Sequence, residues 1–100
     1  MKITSVEPIL LQGESLYGSH ASGAEVTDQG DWQMLVKVAT DDGLTGWSDV
    51  ETFSPAAVPV IQGVSMGLIG FQSLHDIVVG ENPCDVERLW DKMYSGSAYY

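Results

Sequence analysis

Trp32, Met34, Val36 and Val38 alternate with Gln33, Leu35, Lys37 and Ala39, a period of two that predicts a strand with one buried face. Asp41-Asp42-Gly43 then suits a short hairpin turn with glycine in the left-handed position, and Leu44-Thr45-Gly46-Trp47-Ser48 returns as a further strand. Upstream, Ile3 to Gln12 is rich in β-branched and aliphatic residues, but Pro8 cannot donate to a ladder, so this segment suits an edge strand or a bulged one. The first half of the chain therefore predicts a three-stranded antiparallel meander.

After Phe53 the period changes. Ser54-Pro55 is a cap and first-turn pair, and Ala57, Ile61, Val64 and Leu68 recur at helical spacing, although Pro59, Gly63 and Gly67 weaken the helix. Phe71 to Val79 predicts a short second helix or a single turn, ending at Gly80. Asn82-Pro83 opens a last helix with Asp85 near its positive end, an apolar stripe of Val86, Leu89, Trp90 and Met93, and Arg88 within reach of Asp85 and Asp91. Strands first and helices second indicate an α+β fold with the helices bundled on one face of the sheet.

Between the first two strands, Gly13 to Gly30 carries four glycines and three serines with neither helical nor strand period. Loops of this length inside compact domains are usually binding loops or lids, or else disordered. Tyr17 and His20 form a polar aromatic pair within it, placed to contact a ligand, although a solvated histidine explains His20 as well.

Composition narrows the functions. One hundred residues is the size of one small domain, and 44% apolar with 18% charged residues is globular. Only Lys2, Lys37, Arg88 and Lys92 offset fourteen acidic residues, for a net charge of −10, so nucleic acid and acidic membranes are poor partners. The acids are scattered and read as a solvated surface. Cys84, the single cysteine, excludes an internal disulfide and fits a reducing compartment. No secretory segment opens the chain, and the longest charge-free run, Thr52 to Leu74, is interrupted by Pro59, Gln62, Ser65 and three glycines, which points to a cytoplasmic protein.

Chemistry-bearing patterns are sparse. Neither His20 nor His75 has a second strong ligand type at metal-ligand spacing, and turn and strand-end positions explain Asp41-Asp42 and Asp49/Glu51 without a cation. Cys84 has no base nearer in sequence than Arg88. His75 beside Asp76 reads as a locally hydrogen-bonded structural residue, and Trp32, Trp47 and Trp90 as core or interface groups.

Four fragments in order carry a resemblance: Met1-Lys-Ile-Thr-Ser-Val-Glu-Pro8, the Leu35 to Trp47 hairpin with its Thr-Asp-Asp-Gly turn, Phe53-Ser-Pro-Ala-Ala-Val58, and Gly80-Glu-Asn-Pro-Cys-Asp-Val-Glu-Arg-Leu-Trp90. Together they resemble the N-terminal capping domain of the mandelate racemase and muconate-lactonizing branch of the enolase superfamily, over nearly the whole chain. The resemblance implies an α+β capping domain over residues 1–100 whose companion C-terminal (β/α) barrel is absent from this chain. It also implies that this barrel holds the catalytic bases and the carboxylates for Mg²⁺, so that no catalytic or metal residue lies here and the hundred residues alone are inactive. The intact enzyme would abstract the proton α to a carboxylate, as an acid-sugar dehydratase or a racemase or epimerase, with a cycloisomerase as a further alternative. The family's two capping loops map onto Gly13–Gly30 and Asp49–Phe53, which makes Tyr17, His20 and Phe53 the substrate-binding candidates. A small carboxylate substrate, the barrel and a homo-oligomer are the implied partners. The competing reading is a free-standing α+β binding module without catalysis.

Overall fold

The structure, a computed structural model, describes residues 1–12, 32–50, 54–67 and 70–98. Three strands, β1 (Ile3–Gln12), β2 (Trp32–Thr40) and β3 (Thr45–Val50), form an antiparallel sheet in the order β1-β2-β3. Three helices follow: α1 (Ser54–Gln62), α2 (Leu74–Val78) and α3 (Val86–Gly96). The meander and the strands-then-helices order are as the sequence pattern predicts.

Register explains which residues face the core. Val6 stands opposite Val38 and Leu10 opposite Met34 on β2, which in turn faces Val50 on β3. Met34, at the centre of this row, is wholly buried. Ile3 and Val6 are both buried although three positions apart, which strict alternation forbids. The register shift between Ile3 and Ser5 resolves this, because the extra residue turns Ile3 back to the inner face. The irregularity thus lies there rather than at Pro8, which β1 accommodates by being an edge strand.

The β2–β3 turn is held by its own side chains. Gly43 adopts φ +87°, and Thr40 Oγ1 donates to Asp42 Oδ1 at 2.5 Å, which lowers the Asp42 carboxyl below its ordinary range. Asp41 Oδ1 accepts the Lys2 backbone N–H at 2.9 Å and ties the turn to the start of β1. Both carboxylates have structural work that needs no cation.

Three helical expectations need correction. α1 stops at Gln62 instead of continuing to Leu68. Gly63 donates its N–H to the Pro59 carbonyl at 2.8 Å, and a Cβ there would stand 2.2 Å from that oxygen, so the chain closes tightly and leaves the helix; Val64 is 81% exposed. The last helix begins at Val86 rather than at Pro83. Asn82 to Asp85 is instead a tight turn, closed by the Asp85 N–H on the Asn82 carbonyl at 3.1 Å, with proline second as such turns prefer. Finally, the apolar stripe of α3 is only half covered: Leu89 is buried and Met93 partly so, whereas Val86 and Trp90 are exposed.

α2 matches its prediction, with Ser73 as its cap and Gly80 at φ +90° just beyond it. Gly80 donates to the Ile3 carbonyl and Ile3 to the Glu81 carbonyl, both at 2.8 Å, which fixes the exit of α2 to β1. Gly96 lets α3 approach α2 closely, since a Cβ there would lie 2.7 Å from Ile77 Cδ1. The core cluster of Ile3, Val6, Met34, Ile61, Ile77, Val78 and Leu89 therefore lies on one face of the sheet, beneath the helices. Within it, Ile3, Val6, Ile61, Val78 and Leu89 help line an apolar hollow of about 340 Å³.

Candidate functional site

Tyr17, His20 and Phe53 lie outside the described residues, as do Gly13 to Asp31 and Glu51 to Phe53. The described strands nonetheless fix where both loops are rooted. Gln12, the last residue of β1, pairs with Trp32, the first of β2, and Val50, the last of β3, pairs with Met34. All three strand termini thus meet at one end of the sheet. The second root is offset from the first by two residues along β2, about 7 Å of strand rise, and by one strand spacing of about 5 Å. The hairpin turn at Asp41–Gly43 and the Glu81 junction occupy the opposite end, next to Ile3.

Outside the loops, one polar cluster joins Ser65, in the segment after α1, to the cap and first turn of α2. Ser65 Oγ donates to Asp76 Oδ2 at 2.5 Å and accepts the Ser73 N–H at 3.0 Å, while His75 Nδ1 lies 3.2 Å from Asp76 Oδ1. The Ser65 hydroxyl and then His75 hold the Asp76 carboxyl below its ordinary range. His75 is the locally bonded structural residue the sequence suggests. The serine hydrogen-bonds to the carboxylate and not to the imidazole, so no nucleophile–base pair exists there. The Ser73-x-x-Asp76 spacing of a capping box was readable in the sequence, but the participation of Ser65 was not.

Glu81 forms the second charged cluster. Arg88 Nη1 donates to Glu81 Oε2, and Lys92 Nζ to Oε1 at 2.6 Å. The Lys92 and Arg88 hydrogen bonds hold this carboxyl down at about 2 and raise the Arg88 guanidinium in return. Arg88 thus pairs with Glu81, seven residues back, and not with Asp85 or Asp91 as its helical spacing suggested. Glu81 wins because the junction with Ile3 holds it beside α3, and its two oxygens accept one cation each. Cys84 is exposed in the turn before α3 and stands outside both clusters.

Among the described residues no group of three or more His, Cys, Asp or Glu could hold a metal ion. Asp41 and Asp42 spend carboxylate oxygens on the turn, and Asp76 and Glu81 on the clusters above. These residues do not fit a Mg²⁺ site. No described helix is long and apolar enough to cross a membrane.

No protein-family profile matches the chain. In structure it is similar to a protein from Bordetella bronchiseptica RB50 assigned as a mandelate racemase and determined with 2-oxoglutarate and phosphate. The TM-score is 0.71 at 22% identity, and the match covers 93% of this chain and 23% of that one. In sequence it is 33% identical over 67 residues to the D-galactonate dehydratases of Ralstonia pickettii (strain 12J) and Xanthomonas campestris pv. campestris (strain B100). The corresponding enzyme of Cronobacter sakazakii (strain ATCC BAA-894) is 30% identical over 67 residues. Each match takes in 66% of this chain, which spans only 15% of the length of these relatives. The three-stranded meander with helices on one face is the α+β fold of the enolase-superfamily N-terminal domain, as in the Bordetella bronchiseptica neighbour.

Proposed function

We propose that this chain is the capping and specificity domain of a Mg²⁺-dependent enzyme that abstracts the proton α to a carboxylate, and that its substrate is an acid sugar undergoing dehydration. Racemization or epimerization of a related acid is the nearest alternative within the same chemistry. The observation that carries the reading is the convergence of both loop roots, Gln12/Trp32 and Val50, at one end of the sheet. Such a scaffold can present two loops together to a single substrate and exclude water around it. The dehydratase preference rests on the D-galactonate dehydratase relatives.

On this reading the polypeptide continues into a (β/α) barrel that supplies the bases and binds the metal. Tyr17, His20 and Phe53 would touch the substrate, and the described residues would position them without taking part in proton transfer. Loss of water from an aldonate after α-proton removal yields an enol that ketonizes to a 2-keto-3-deoxy acid, a product with a distinct carbonyl signature. The test is to express the whole reading frame and assay a panel of aldonates with Mg²⁺ for that product. Dehydration by the longer protein, none by residues 1–100, and altered selectivity on Phe53→Ala or Tyr17→Ala are the expected results. A reading frame that ends at Tyr100 with no barrel partner would sink the proposal and favour the free-standing binding module.

A further inference from the structure

The loop-bearing end of the sheet rests on one enclosed side chain. Met34 has 0% exposure, the one apolar side chain among the described residues with none at all. Further polypeptide can cover an exposed face, but it adds nothing around a side chain that is already enclosed. On β2, Met34 stands opposite Leu10 on one side and Val50 on the other. Opposed residues sit about 5 Å apart, so Met34 adjoins Val50, the root of the second loop. It lies two residues, about 7 Å, from the Gln12/Trp32 pair that roots the first.

The second loop is anchored at both ends. Only Glu51, Thr52 and Phe53 separate Val50 from Ser54, the first residue of α1. So short a connection reaches at most about 14 Å, and the spacing between the end of β3 and α1 decides where it can run. Val50, Ala57 and Val58 pack against the core cluster to which Met34 belongs, so that spacing depends on the interior that Met34 fills. The slack lies elsewhere. Val36 and Val38, further along β2, line the apolar hollow, and Met34 does not. Truncation at Met34 therefore empties a close-packed part of the interior, and its neighbours must shift to refill it.

We propose that Met34 is a positioning and specificity-determining residue of the cap: its enclosed side chain sets the placement of the two loop roots relative to each other, and through them the discrimination between aldonates that differ in the configuration of one hydroxyl. The inference rests on the enzyme proposed above. Met34 itself touches no substrate and moves no proton, so its replacement acts through geometry. A shift of about 1 Å in a substrate-positioning group costs up to about a hundredfold in rate.

The test compares Met34→Ala, Met34→Val and Met34→Leu with Ile3→Ala, which truncates a buried residue at the opposite end of the sheet. Valine suits a strand and removes less volume, so it carries the test where alanine does not fold. In the full chain, Met34→Val should move the backbone amide shifts at both roots, Gln12/Trp32 and Val50, and Ile3→Ala should move neither. In the longer protein, kcat and KM are measured for two epimeric aldonates. Met34→Ala should raise KM and change the ratio of the two kcat/KM values about tenfold, and valine less, with the pH profile of kcat unchanged. Leucine, which conserves volume, should restore the wild-type ratio. A residue that only stabilised the fold would lower kcat equally for both substrates, through a smaller folded fraction, and leave KM and the ratio alone. That result overturns the proposal, as does an equal change of ratio with Ile3→Ala. Shifts at one root alone, or at neither, overturn it without reference to any substrate. A wild-type longer protein that dehydrates no aldonate removes the enzyme reading instead, and the amide shifts then decide whether Met34 positions both roots.

Discussion

Ser65 and Ser73 are joined by a hydrogen bond from the Ser73 backbone N–H to Ser65 Oγ at 3.0 Å, and the Ser65 hydroxyl in turn donates a hydrogen bond to the Asp76 carboxylate. In an ordinary capping box the acid three residues into the helix accepts the cap residue's N–H directly. Here the acid is Asp76, and a serine from the preceding loop stands between the two, so the cap of α2 also anchors the chain leaving α1. Ser65→Ala should remove both bonds and cost about 1 kcal/mol or somewhat more, a typical cap loss. Chemical denaturation of the two proteins checks this, and an unchanged midpoint would show that the relay carries no stability.

The hairpin turn offers a cleaner test of backbone strain. Gly43 sits at φ +87° with nothing within 4 Å of where a Cβ would stand, so any penalty for a side chain comes from conformation alone. Gly43→Ala should destabilise by about 1 kcal/mol, and Gly43→Asn by less, since asparagine tolerates the left-handed region. If alanine and asparagine cost the same, the turn conformation is not what glycine secures.

The sheet was legible because its signals are local. Alternation from Trp32 to Ala39 and the Asp-Asp-Gly turn each specify geometry within a few residues, and the register bears them out. What the sequence hid depends on contacts between distant segments. Arg88 has acids at helical spacing on both sides, yet Glu81 takes it because β1 fixes the α2–α3 junction beside the helix. The α3 stripe has the correct period, but period alone cannot say how much of an apolar arc the neighbouring elements will cover. The two loops of the candidate site were placed by resemblance; the described strands add only where they are rooted, at a common end of the sheet.

Two residues of that stripe should behave oppositely when truncated. Leu89 is 6% exposed within the core cluster, whereas Val86, one turn earlier, is 69% exposed. Leu89→Ala should cost about 2–4 kcal/mol, the range for a buried leucine, and Val86→Ala less than about 0.5 kcal/mol. Thermal denaturation of both variants measures the contrast. A large loss at Val86 would mean that its side chain is packed in the folded chain despite its exposed position.

Acid should loosen α3 before it unfolds the sheet. Hydrogen bonds from Lys92 and Arg88 hold the Glu81 carboxyl at about 2 in the folded chain, against an ordinary value of 4.5. A carboxyl lowered on folding binds its proton more readily in the unfolded chain, so its contribution is complete above the unfolded value and disappears as the pH falls toward the folded one. The clamp should therefore stabilise the protein fully at neutral pH and lose its effect between about pH 4.5 and 2. Glu81→Gln removes the titrating group but keeps the side chain's size. Its stability should lie below wild type at pH 7 and converge with it near pH 2, and added salt at pH 7 should narrow the gap because both cations are solvent-accessible. Parallel stability curves for the two proteins across this range would show that Glu81 holds α3 by packing and not by charge.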